Sequence, residues 1–243
     1  MHQPMNMTPV QCRLLLPKRL FLPPFLWVYE GSPDLLLRSR YEIYPMGTVG
    51  NMTDVGALPP LDPARTRLRE HVLAHAVKRG DFTLKSGRKS TWFLDTKQTA
   101  CRPDGILLVA DVALSMLPAS ATAIGGLTMG ADPVAFGIAA VAATRGVNLR
   151  SFSVRKEAKD HGVTGRLAGA LQPGDKVVIT EDTVTRGTSL FEAVEVVKAF
   201  GAEPVFITVI VDRGGTCAAM AAEAGIPYQP MLTAPDLGFD FNS

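Results

Sequence analysis

The sequence predicts an α/β fold: a parallel sheet flanked by helices. Three observations carry that expectation. From Leu61 onward, short apolar runs alternate with helix-length amphipathic segments, the pattern of a parallel sheet covered on both faces. The composition breaks near residue 60, so the alternation belongs to the later part of the chain. Polar and glycine-bearing stretches follow several of the apolar runs, where sheets of this kind bind ligands.

Each element has its own justification. Asp62 is a good N-cap and Pro63 suits the first helical position. Leu68, Val72, Leu73, Ala76 and Val77 then form one apolar stripe, predicting a helix that ends at Gly80. Two strand-like pieces follow, Asp81–Leu84 and Thr91–Leu94, joined by Lys-Ser-Gly-Arg-Lys. Pro103 opens a helix over 103–117. The alternation after it reads strand Ala121–Leu127, helix 131–145, strand Leu149–Val154, a polar loop and strand Lys176–Thr180. Helix 188–200, strand Pro204–Val211 and helix 215–224 complete it. The loops after Leu127, Val154, Thr180 and Val211 are therefore the places to look for chemistry.

Composition bounds the rest. The chain has 243 residues, room for one sizeable core or two small ones. A hydrophobic share of 47% with a net charge of +2 excludes global disorder and gives no overall basic signal for nucleic acid. Nine of the 18 prolines but only four of the 22 glycines precede residue 61, and no sustained helical or strand period runs through that part. Residues 1–60 thus read as a disordered or loosely attached extension, or as sequence ahead of a true start at Met46 or Met52. Residues 61–243 form the folded domain. Cys12, Cys101 and Cys217 are few and far apart, which argues against disulfides and for a reducing, cytoplasmic location. No stretch is long and apolar enough for a bilayer, so no membrane partner is expected. His71 and His75 are four apart on one helix but lack a third ligand nearby in sequence, so they read as packing or surface residues. Cys101 and Cys217 read as buried small hydrophobes, and Asp236 as a turn or cap residue.

The loop after Thr180 is the most telling. It reads Glu181-Asp182-Thr183-Val184-Thr185-Arg186-Gly187-Thr188-Ser189 and runs into an amphipathic helix. Hydroxyls and backbone amides at a helix N-terminus make a phosphate cradle. The carboxylates beside it cannot bind phosphate, so they need sugar hydroxyls, a metal or a developing cation. After Val154 comes Arg155-Lys156-Glu157-Ala158-Lys159-Asp160-His161-Gly162, with Gly165 and Gly169 further on. Three fixed cations and an imidazole between glycines suit a loop that closes over an anion.

Val177–Ser189 resembles the phosphoribosyl pyrophosphate (PRPP) motif of type I phosphoribosyltransferases. The run from Arg155 to Gly162 resembles the flexible loop of the orotate phosphoribosyltransferases. Phe82–Ser90, followed by Trp92-Phe93-Leu94-Asp95, resembles their hood; Gly125–Ala135 resembles their pyrophosphate-side loop. Val211-Asp212-Arg213 resembles the strand end whose Arg faces the orotate carboxylate. The likeness covers roughly residues 65–240, in family order.

That resemblance implies a type I phosphoribosyltransferase fold over residues 61–243, with a small N-terminal hood at 61–100. It also implies the transfer of ribose 5-phosphate from PRPP to orotate, giving orotidine 5′-monophosphate and pyrophosphate in UMP biosynthesis. Mg²⁺ is the implied cofactor, held by PRPP and pyrophosphate rather than by protein ligands. Thr183, Val184, Thr185, Arg186, Gly187, Thr188 and Ser189 would hold the 5′-phosphate. Glu181 and Asp182 would take the ribose hydroxyls, and Arg155, Lys156, Lys159 and His161 the departing pyrophosphate. Lys85 would approach PRPP from the hood, while Thr185 and Arg213 would fix orotate. Lys159, His161 and Asp182 are the implied catalytic residues. The family's loop reaches into the neighbouring subunit, which implies a homodimer. Gly130 departs from members with Lys there, and Arg186 stands where a small residue is common.

The rivals are a phosphoribosyltransferase for a purine or uracil and a PRPP-binding regulator. The basic loop and the hood argue against the first. Against the second, residues 1–60 show no helix-turn-helix period and only five Lys/Arg against four Asp/Glu. Length excludes fusion to a decarboxylase barrel.

Overall fold

The computed structural model describes residues 60–83, 89–159 and 165–241. The extension before Pro60, Lys85 and His161 lie outside the described residues, as does the side chain of Lys159.

The described chain begins with helix α1 (Pro63–His75), whose first amides are capped by the Asp62 carboxylate at 2.9 and 3.0 Å. The sequence predicted this helix to run to Gly80. It stops earlier because Val77 onward forms strand β1 (Val77–Thr83), which pairs antiparallel with β2 (Lys89–Leu94) from Val77↔Leu94. Pairing satisfies the backbone groups that further helix would have used. A single-turn helix, α2 (Lys97–Ala100), follows and had no sequence signal. Helix α3 (Pro103–Met116), strand β3 (Ala123–Leu127) and helix α4 (Ala131–Thr144) match expectation within two residues.

The next three strands correct the sequence reading. Strand β4 (Arg150–Lys159) continues five residues past Val154, and β5 (Gly165–Gly169) folds back on it antiparallel. The basic segment is thus strand from Arg155 to Lys159 rather than loop, while Asp160, His161 and Gly162 lie outside the described residues. Strand β6 (Lys176–Val184) runs four residues past Thr180, so Glu181, Asp182 and Thr183 are strand residues. Helix α5 (Thr188–Ala199), strand β7 (Glu203–Asp212), helix α6 (Cys217–Glu223) and a two-residue strand β8 (Leu232–Thr233) close the order. Asp236 ends this run as expected, accepting from the Thr233 amide at 2.7 Å and its hydroxyl at 2.8 Å.

The large sheet has the order β5-β4-β3-β6-β7-β8, parallel apart from β5. Alternate side chains of β6 and β7 go to opposite faces. Val178 and Ile210 pack with Leu68 and Val72 of α1, Val109 of α3 and Ile138 of α4. Val177, Ile179, Ile207 and Val209 pack with Leu190 and Val194 of α5 and Ala221 of α6. Both faces are therefore buried, which is why these strands read as continuous apolar runs. Cys217 is buried as expected, whereas Cys101 is exposed at the end of α2. No described helix is long and apolar enough to cross a membrane.

Candidate active site

The chain leaves β3 toward β4 on one side and leaves β6 toward β7 on the other, so the strand order reverses between β3 and β6. A crevice outside the carboxyl ends forms at such a reversal. Glu181 and Asp182 lie at that end of β6, and the turn Thr128–Gly130 leaves β3 beside them. The peptide bond between Thr128 and Met129 is cis. Gly130 comes so close to the acid pair that a Cβ there would collide with Glu181 Oε1 and lie 2.7 Å from Asp182 Oδ1. Any side chain at position 130 would have to push the Glu181 carboxylate aside, so the glycine that departs from the family's Lys and the present placement of Glu181 go together.

Glu181 and Asp182 are both buried, at 8% and 7% exposure. Burial and the neighbouring Asp182 charge push the Glu181 carboxyl up to about 8. Asp182 is anchored by a partner absent from the sequence reading: Lys97 Nζ donates to its Oδ2 at 2.6 Å. Thr96 donates to the same oxygen at 3.0 Å and meets the Thr183 hydroxyl at 2.5 Å. Burial works against the Lys97 charge, but the Asp182 bond outweighs it and raises the lysine's pKa. Asp132, in the first turn of α4, accepts from Thr128 and from Ser153 of β4, at 2.7 Å for the latter. Lys97, Thr96 and Ser153 have no local sequence signature, and Asp132 showed only as part of the Gly125–Ala135 stretch. They converge only because α2, α4 and β4 meet at one end of the sheet.

The turn after β6 is set by glycine. Gly187 has φ +88° and precedes α5 without a side chain to cap the first amides. The positive end of the helix and those amides face outward for an anion. Thr188, Ser189 and Arg186 are exposed, while Val184 is buried in the core and offers the site only its backbone. The turn is braced from the loop after β7. Thr216 donates to the Arg186 carbonyl at 2.7 Å, and Gly215 lies where a Cβ would collide with the Thr185 carbonyl.

Arg213 follows β7, its amide bonded to the Val184 carbonyl at 2.9 Å. Its guanidinium lies 4.1 Å above the Trp92 ring, which stacks at 4.0 Å on Phe239, with Arg79 over the far side at 5.1 Å. Trp92 itself is fully buried, so this hood aromatic orients the arginine. On the hairpin, Arg155 donates to the Gly165 carbonyl at 3.2 Å and Lys156 is exposed. Arg166 bonds the Arg155 carbonyl at 2.8 Å and pairs with Glu192 of α5, fixing the base of the arm.

A mostly parallel sheet flanked by helices, with an acid pair and phosphate turn at its switch point, defines the type I phosphoribosyltransferase class. No family model matches the chain. An orotate phosphoribosyltransferase of Rhodopirellula baltica is 38% identical over 172 residues, covering 68% of this chain and 89% of the relative. One of Streptomyces avermitilis is 39% identical over 182 residues, covering 74% and 100%. The crystal structure of Mycobacterium tuberculosis orotate phosphoribosyltransferase in complex with PRPP is 30% identical. It superposes with a TM-score of 0.62 over 73% of this chain and 100% of its own. The chain belongs to the orotate phosphoribosyltransferase family.

Proposed function

We propose that this protein transfers ribose 5-phosphate from PRPP to orotate, releasing pyrophosphate and forming orotidine 5′-monophosphate on the route to UMP. The observation that carries the reading is the buried acid pair of β6 running directly into the uncapped Gly187 turn. One strand end thus presents negative charge for a ribose cation and donors for a phosphate.

The anomeric carbon gains positive charge as its bond to pyrophosphate breaks, as in glycoside chemistry. Asp182, held in place by Lys97, supplies negative charge near that carbon, and Glu181 takes a ribose hydroxyl. Thr183–Ser189 hold the 5′-phosphate, so the ribose is oriented before the bond breaks. Arg213, braced on Trp92, takes the orotate carboxylate through its planar fork, and Thr185 assists. Arg155, Lys156, Lys159 and His161 neutralise the departing pyrophosphate, partly across a homodimer, and Lys85 approaches PRPP from the hood. The arm that carries Lys156 outward from the sheet supports that assignment.

The site also suits Mg²⁺. The donors around the acid pair, from Thr96, Thr128, Asp132, Ser153 and Thr183, are oxygens, which a hard cation prefers. Asp182 and Asp132 are already taken by protein partners, so the ion would be held mainly by PRPP and pyrophosphate oxygens. When bound, it offsets charge on the leaving group. A cytoplasmic location completes the reading.

The test follows orotate absorbance on addition of PRPP, with and without Mg²⁺, using uracil and hypoxanthine as competing bases. Orotate should be consumed with Mg²⁺ and spared after chelation. Folded protein that leaves orotate untouched would overturn the proposal.

A further inference from the structure

We propose that His71, His75 and Asp104 form a binding site for a first-row divalent cation, with Zn²⁺ the best match to the donors. The two histidines lie one helical turn apart on α1, their ring centroids 4.5 Å apart. The fold supplies the third donor that the sequence did not show. Asp104, in the first turn of α3, brings its Oδ2 to 3.5 Å from His71 Nε2. One ligand atom from each of the three residues lies within 4.8 Å of the others. Three donors each about 2.0–2.2 Å from one ion need only a slightly tighter cluster.

The state of His71 is the independent observation. Its side chain is about nine-tenths buried, at 8% residue exposure, and Nε2 makes no hydrogen bond among the described residues, facing Asp104 Oδ2 at a long 3.5 Å. A buried ring nitrogen without a close hydrogen bond is costly unless something occupies its lone pair, and the gap to Asp104 leaves room for an ion between them. The rest of the ring is locked. Nδ1 bonds the Thr99 hydroxyl at 3.2 Å, and a Cβ on Gly105 would lie 2.7 Å from Cε1. A fixed imidazole whose outer nitrogen is anchored to a neighbouring polar group is how histidine ligands are oriented. His75 and Asp104 are exposed, so an ion has a way in.

Two imidazoles and one carboxylate favour Zn²⁺ over Mg²⁺ or Ca²⁺, with water completing four-coordination. The site is separate from the acid pair yet shares α2 with it. Thr99 of α2 anchors His71, and Lys97 and Thr96 at the start of the same turn bond Asp182. An ion here would brace α1 against α3 and steady the turn that carries Lys97.

The test uses the full chain, stripped with a chelator, dialysed and titrated with ZnCl₂ against a chromophoric zinc indicator. One Zn²⁺ should bind per chain, and Co²⁺ should give the visible absorption of a tetrahedral site. His75→Ala and Asp104→Asn should each weaken binding by at least about 10–100-fold, the scale of losing even an outer-shell partner. Cys101→Ser should leave it unchanged. These exposed variants avoid the risk that replacing buried His71 disturbs the fold. No stoichiometric binding would overturn the proposal. So would equal affinity in the His75 and Asp104 variants, or loss of binding in Cys101→Ser.

Discussion

Replacing Glu181 with glutamine should remove a pH dependence that the buried acid pair builds into folding. The wild-type carboxyl is 8% exposed and raised from an ordinary 4.5 to about 8, by burial first and by Asp182 second. At 1.36 kcal/mol per pH unit, that displacement has a ceiling of about 5 kcal/mol. Local relaxation and water raise the effective dielectric, so roughly 2–3 kcal/mol is the expected effect. Between about pH 4.5 and 8 the folded chain holds a proton that the unfolded chain has released, so stability falls as pH rises through that window. Below it both states are protonated and the contribution is intact; above it the full penalty of burying the charge is felt. Glutamine keeps the shape and cannot ionise. Urea unfolding of both proteins at about pH 5.5, 7 and 8.5 should therefore show E181Q gaining on wild type with each step. A difference that stays constant within about 0.5 kcal/mol over that range would refute the protonated, buried Glu181.

Lys97→Met should lower kcat/KM on the order of 10²-fold by freeing Asp182 from its anchor, with Lys97→Arg recovering part of it; steady-state kinetics with PRPP varied reads this. Gly130→Ala forces the Glu181 carboxylate aside, costing about 1–3 kcal/mol by thermal unfolding and raising the PRPP KM more than it changes kcat. Inactive Lys159→Ala and Asp182→Ala proteins, mixed into confirmed heterodimers, should regain part of the wild-type rate if the basic arm acts across subunits; no rescue would place the arm in its own subunit.

Much of the fold was legible because it rests on local rules. The Asp62 cap, Pro103 and the apolar runs of β3, β6 and β7 each announce an element through backbone preference or burial on two faces. Element ends were less legible. Helix α1 stops at His75 because Val77 finds a strand partner at Leu94, a competition between local and distant hydrogen bonds. The first half of the basic segment looked like loop because its charges hide strand character; it continues β4, whose pairing with β5 runs from Phe152↔Gly169 to Lys159↔Gly165. In the candidate site, Glu181, Asp182 and the Gly187 turn stood out as one contiguous run. Lys97, Thr96 and Ser153 did not, since they lie in elements far from that run in sequence and carry no pattern of their own.

The sequence by itself determined the class of fold and the order of chemical groups along it, because periodicity, caps and turn residues act over a few neighbours. Tertiary structure alone decided which side chains share a spot. It set Lys97 against Asp182, Gly130 against Glu181, Trp92 under Arg213 and Asp104 beside His71. Such pairings depend on how strands order and helices pack across the whole chain. That order follows from burying two faces of one sheet at once, which no local stretch of sequence expresses.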